Sequence, residues 1–145
     1  MRFDSQRVRK IERAVAVREL FSPTGRAEPW LRLTLAQAYE FSRDRKRALE
    51  MLSQLVETEK YHGALAAYSL ILRLNNNHQR ALELANSLLA IPSDAPYSVA
   101  LVLLERARIH ASLGDWPAAE RDVQSLLNSN PIAQAFDPRL HTEGY

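Results

Sequence analysis

Leu35-Ala36-Gln37-Ala38-Tyr39, followed by Ala48, is the stretch that decides the fold. Its spacing returns twice: Tyr68-Ser69 with Leu72 and Ala81, and Ala107 with His110 and Ala119. Each time a small residue (Ala36, Ser69, Ala107) is followed three positions later by a bulkier one, and an alanine comes twelve positions after the small residue. The three alanines Ala48, Ala81 and Ala119 are 33 and 38 residues apart. A period of roughly 34 residues is that of stacked helical hairpins. Two antiparallel helices approach closely only where one side chain is small. Ala36, Ser69 and Ala107 therefore mark the tightest contacts, with Ala48, Ala81 and Ala119 facing them across each turn. The second interval is longer because the linker from Pro92 to Pro96 adds residues.

The flanking sequence agrees with helices punctuated by breakers. Residues 5–21 read as a helix, with Val8, Ile11 and Val15 on one stripe and Arg9 and Arg13 opposite. Ser22-Pro23-Thr24-Gly25 ends it, and Pro29 suits the first turn of the next helix, which carries Trp30, Leu33, Leu35, Ala36, Ala38 and Tyr39. Asp44 is placed to cap a helix whose buried stripe is Ala48, Met51 or Leu52, and Leu55 or Val56. A third arm over residues 61–74 ends at Asn75-Asn76-Asn77, where asparagine tolerates a left-handed backbone. Its partner runs over 78–90, with Ala81, Leu84, Ala85 and Leu88 apolar. A helix over 97–113 closes at Gly114-Asp115-Trp116-Pro117, and a last one carries Ala119, Val123, Leu126 and Leu127 as far as Asn130-Pro131. The plan is an N-terminal helix at 5–22, hairpins at 29–61, 62–95 and 97–131, then a short helix over 132–136 within a tail at 132–145.

Bulk properties fit one all-helical unit. The chain has 145 residues, 46% hydrophobic and 25% charged, with 4 glycines and 7 prolines. No apolar run reaches the 18 or so residues that span a bilayer. Met1-Arg2-Phe3-Asp4 is polar and lacks an apolar stretch behind it, unlike a secretory signal, so the expected location is cytoplasmic. The net charge of +2 hides a gradient: residues 1–60 hold 13 Lys/Arg against 9 Asp/Glu, and residues 61–145 hold 6 against 8.

At this level the chain resembles the tetratricopeptide repeat family. Leu35-Ala36-Gln37-Ala38-Tyr39 is similar to that family's first-helix core, Asp44 to Leu49 to its turn, and Gly114-Asp115-Trp116, Ala119 and Asn130-Pro131 to its closing positions. The middle repeat departs from the pattern, with asparagine for the turn glycine and Leu72 for the tyrosine. The resemblance covers roughly residues 29 to 131 and implies an all-α helical-hairpin solenoid of about three repeats with an extra N-terminal helix. It implies a concave groove lined by the first helices: Trp30, Leu33, Thr34, Gln37 and Phe41; then Ala66, Ala67, Leu70, Arg73 and Leu74; then Leu101, Leu104, Glu105 and Arg108. Members that grip a terminal carboxylate use lysine and asparagine where this chain has Leu33, Gln37 and Ala67. Capture of a chaperone C-terminus is therefore not expected.

An apolar groove calls for an apolar ligand, either an extended segment or an amphipathic helix. Trp30, Phe41, Leu70 and Leu104 would supply area, and Arg73 and Arg108 would orient acidic groups. The expected role is that of a protein-binding scaffold, an adaptor or assembly chaperone. The alternatives are a homodimer through the same apolar faces, or a regulatory module meeting nucleic acid through its basic N-terminal helix. The basic runs Arg2, Arg7, Arg9, Lys10, Arg13 and Arg43, Arg45, Lys46, Arg47 lack interleaved aromatics and are diluted by Glu12 and Asp44, which disfavours nucleic acid. Gly25, Gly63, Gly114 and Gly144 are isolated, so no phosphate loop is present. His62, His78, His110 and His141 lie apart and there is no cysteine, so neither zinc nor another cofactor is expected. Glu120 and Asp122 face different sides of one helix, as do Glu57 and Glu59. No acid/base pair or activated nucleophile appears, and the chain does not read as an enzyme.

Overall fold

A computed structural model describes residues 2–92 and 96–129. Among these residues the chain is all-helical, with no strand. The helices are α1 (Arg2–Phe21), α2 (Pro29–Phe41), α3 (Arg45–Ser53), α4 (Leu65–Leu74), α5 (His78–Leu89), α6 (Pro96–Ser112) and α7 (Trp116–Ser129). A π turn at Gln54–Thr58 and a 3-10 turn at His62–Ala64 join α3 to α4. The expected elements are present within a few residues of their expected ends. The short helix expected at 132–136 and the tail lie outside the described residues.

The recurring alanine spacing is the imprint of one turn built three times. After α2, the amide of Asp44 donates to the carbonyl of Tyr39 (2.8 Å) and that of Arg43 to Glu40 (3.1 Å). After α4, Asn77 donates to Leu72 (2.7 Å) and Asn76 to Arg73 (3.0 Å). After α6, Asp115 donates to His110 (2.9 Å) and Gly114 to Ala111 (3.0 Å). This bond pair satisfies the last carbonyls of a helix only if the residue past its end is left-handed. Arg43, Asn76 and Gly114 have φ of 66°, 58° and 78°. Each next helix then starts alike, with Ala48, Ala81 and Ala119 donating to the carbonyls of Asp44, Asn77 and Asp115. The bulky echo residues Tyr39, Leu72 and His110 thus supply the carbonyls that close each turn, and Ala48, Ala81 and, one residue after the equally buried Ala118, Ala119 are buried just beyond it.

The chain divides into two compact units, Met1–Tyr68 and Ser69–Tyr145, and the division falls inside α4 rather than at a repeat boundary. In the first unit α1 packs on α2, and α2 on α3. Its core gathers Val8 and Val15 of α1, Ala27, Leu35 and Tyr39 of α2 and its approach, and Ala48 of α3, with Ile11, Leu31, Ala38 and Met51 alongside. The basic face of α1 is turned outward, as its stripe predicts. In the second unit α6 packs against both α5 and α7. Ile71, Ala81, Leu84, Ala85, Leu88, Val102, Ile109 and Ala119 are buried there. Val123 of α7 is exposed, while its neighbour Asp122 is buried.

Candidate functional site

The first helices leave large apolar residues exposed, and the second helices α3 and α5 do not. Trp30 and Phe41 of α2, Leu70 and Leu74 of α4, and Tyr97 and Leu104 of α6 are exposed. None of the large apolar residues of α3 or α5 is among the exposed ones. The third second helix, α7, does not follow α3 and α5, because its Trp116 and Val123 are exposed.

In the first unit, Gln37 and Phe41 line an open pocket of about 310 Å³ together with Thr34, Ala38 and, across from them, Arg7, Val8 and Ile11 of α1. The lining is mostly apolar, and α1 forms one wall of it. Trp30 is exposed, Leu33 half-buried and Ala66 exposed. Glu12 sits at the junction of the three helices: Tyr39 donates its hydroxyl proton to Glu12 Oε2 (2.7 Å), and Arg47 lies 4.0 Å from it. Burial first, and then this bond to an anion, push the Tyr39 phenol up to about 12.

Below that core sits a buried ion pair. Arg32 is only 5% exposed. Its Nε donates to the Ala27 carbonyl (2.9 Å), and both terminal nitrogens reach Glu59, with Nη2 to Oε1 at 2.5 Å. A fork-to-fork pair of this kind is the strongest geometry available to a guanidinium. The π turn makes it: with Glu59 donating to Gln54 and Tyr61 to Leu55, the widened turn swings Glu59 toward α2. The hydrogen bonds from Arg32, more than any other influence, hold the Glu59 carboxyl below its ordinary 4.5, and the same bonds raise Arg32. A polar pocket of about 480 Å³ opens beside the pair, lined by Ser22, Thr24, Arg26, Ala27, Glu28, Pro29, Arg32 and Glu59. Both of its buried charges are already matched to each other.

In the second unit, Leu70 and Leu104 are exposed and Leu101 half-buried. The reading of Arg73, Glu105 and Arg108 as three free groove positions needs correction. Glu105 is 1% exposed and accepts from Arg73 Nη2 (3.1 Å) and Arg108 Nη1 (3.3 Å). Arg73 is half-buried, so its charge is committed inward and is not offered to a ligand. The physical reason is that a carboxylate removed from water demands cationic partners, and Glu105 takes the two nearest. Arg108 keeps an exposed side chain. Opposite, Arg106 of α6 grips Asp122 of α7 with two bonds (2.6 and 2.9 Å), and His110 lies 3.8 Å from the same carboxylate. Sequence reasoning missed both ion pairs and the Arg32–Glu59 pair. A signal was present: Arg32, Glu105 and Asp122 fall in phase with buried neighbours of their own helices.

Among the described residues, no group of three or more His, Asp or Glu side chains is placed to hold a metal ion, and no helix is long and apolar enough to cross a membrane. Comparison with family models, with curated proteins and with solved structures finds no match to this chain.

Proposed function

We propose that the chain is a protein–protein interaction module of the tetratricopeptide-like kind, an adaptor or assembly chaperone that takes an apolar peptide or amphipathic helix on its first helices. The observation that carries this reading is that each first helix, α2, α4 and α6, leaves large apolar side chains exposed. Large apolar side chains stay in water at real cost, about 25 cal/mol per Å², and a surface that keeps them is one that buries them in a complex. The three equivalent turns support the repeat reading, because the chain leaves α2, α4 and α6 through the same backbone conformation. Unit 2 offers Leu70, Leu101 and Leu104, with Arg108 at the edge; unit 1 offers Trp30, Leu33, Gln37 and Phe41.

Affinity capture from the source lysate tests this, comparing the intact chain with Leu70→Glu. Leu70 is exposed, so the variant keeps its helical spectrum. A partner held by the intact chain and released by the variant supports the groove. A partner retained equally by both sinks it, and recovery of the chain alone as a concentration-dependent dimer replaces it with self-association.

A further inference from the structure

The outward face of α1 carries a pattern that the peptide-binding reading does not use. At 100° per residue, Arg9, Lys10, Arg13, Val17, Leu20 and Phe21 fall on the side opposite Val8, Ile11 and Val15, which pack on α2. All six are exposed. Val17 is 51% exposed, and Leu20 and Phe21 are each 81% exposed. The cations occupy the first part of this face and the apolar residues its last turns. No carboxylate interrupts them among the described side chains: Glu12 is bonded to Tyr39, and Glu19 acts on Arg32. Arg9, Lys10 and Arg13 make no ion pair among the described residues.

We propose that this face docks unit 1 on an anionic phospholipid surface, with the cations over the headgroup phosphates and Leu20 and Phe21 dipping into the interfacial layer. The face is the convex outside of a single helix, with no cleft to receive a peptide, and it matches a broad, flat, negatively charged partner. A nucleic acid duplex would satisfy the cations but would strand three large apolar side chains against phosphate. A bilayer interface satisfies both halves. Such a helix lies on the membrane and does not span it, in keeping with the lack of a spanning helix among the described residues. Each basic residue near an anionic leaflet strengthens binding roughly fivefold, so a cluster is needed before attachment is measurable.

The test is sedimentation of the intact chain with large unilamellar vesicles. One set is pure phosphatidylcholine, and the other has about a third of its lipid as phosphatidylserine. Binding to the second set and not the first is expected, and it should weaken as salt rises. Arg9→Glu with Lys10→Glu and Arg13→Glu should weaken binding about a hundredfold. Leu20→Ser with Phe21→Ser should weaken it about tenfold and leave the salt dependence in place. All five positions are exposed, so circular dichroism should be unchanged in both variants. Equal binding to both vesicle sets, no binding to the anionic set, or full retention by either variant overturns the proposal. So does tighter binding of poly-glutamate or a DNA duplex than of anionic vesicles at the same salt. Because Leu70→Glu lies outside this face, peptide capture and vesicle binding fail independently.

Discussion

The two units both place charge in their interiors, and they do so with opposite sign. In Met1–Tyr68 the group taken furthest from water is a cation, Arg32, answered by the half-buried Glu59. In Ser69–Tyr145 the buried groups are anions, Glu105 and Asp122, answered by arginines that keep more contact with solvent. The difference has consequences because the two signs have different escape routes. A buried carboxylate that loses its partner can take up a proton and become neutral. A guanidinium cannot give one up at any accessible pH. Unit 1 should therefore tolerate loss of its counter-ion worse than unit 2.

The largest expected effect is that of Glu59→Gln. It leaves the Arg32 charge in place with only an amide to meet it, and loss of one partner from a buried pair costs about 3–5 kcal/mol. Trp30 lies in unit 1 and Trp116 in unit 2, so urea denaturation followed by fluorescence in a Trp116→Phe background reads unit 1 alone. A loss below about 1 kcal/mol would mean that water reaches Arg32 and that the pair is effectively a surface one. The pair also has a pH signature. The folded-state pKa of Glu59 lies below its ordinary 4.5. Its contribution is then complete above 4.5 and is lost as the pH falls through the folded value. Glu59→Gln should remove that acid-side loss from the unit 1 stability profile.

Arg106→Met comes next and sharpens the contrast. At neutral pH it should cost unit 2 about 3 kcal/mol, since Asp122 is left buried with only His110 near it. Mild acidification should shrink this deficit as the orphaned carboxylate is neutralised, whereas the deficit of Glu59→Gln should stay level down to about pH 4.5. The readout is the same denaturation in a Trp30→Phe background at several pH values. Equal pH dependence in the two variants would break the argument from sign.

Tyr39→Phe is smaller, at about 1 kcal/mol for one hydrogen bond to a partly exposed carboxylate. Its alkaline behaviour is the more telling measurement. The Tyr39 phenol is pushed up to about 12 from its ordinary 10, so its stabilising share is present below 10 and disappears as the pH rises toward 12. Unit 1 of the phenylalanine variant should lack that step, and a step of unchanged size would assign it to another group.

How far these features could be read from the sequence follows the range of the interactions involved. The turns were legible because each is local: Tyr39 to Ala48 closes within one hairpin bend, and the same bonds recur at Leu72–Ala81 and His110–Ala119. The stripes Val8–Val15 and Ala81–Leu88 were legible because helical periodicity is local too. The ion pairs were not, since Arg32 meets Glu59 and Arg73 meets Glu105 across 27 and 32 residues. Only the phase of the charged residue showed in the sequence; its partner was set by packing. The π turn at Gln54–Thr58 had no sequence signal at all, and without it Glu59 would not have been placed. Arg73 reads as a groove residue because an arginine on a first helix looks solvent-facing until its carboxylate is located.

The smallest effects test whether the turns are as alike as their bonds indicate. One backbone conformation is occupied by arginine in unit 1 and by asparagine and glycine in unit 2, with φ of 66°, 58° and 78°. An ordinary side chain there costs roughly 1 kcal/mol relative to glycine, and asparagine costs less. Arg43→Gly should therefore stabilise unit 1 by up to about 1 kcal/mol, and Gly114→Ala should destabilise unit 2 by about as much. A Cβ on Gly114 would meet no atom within 4 Å, so the penalty would be that of the backbone alone. Asn76→Gly should fall between, with a gain of a few tenths of a kcal/mol at most. This order, read from thermal midpoints of the three variants, comes from a conformation that all three turns share. If Arg43→Gly instead destabilises, the arginine contributes a surface interaction that outweighs its backbone strain, and the first turn differs in energy from the other two despite having the same bonds.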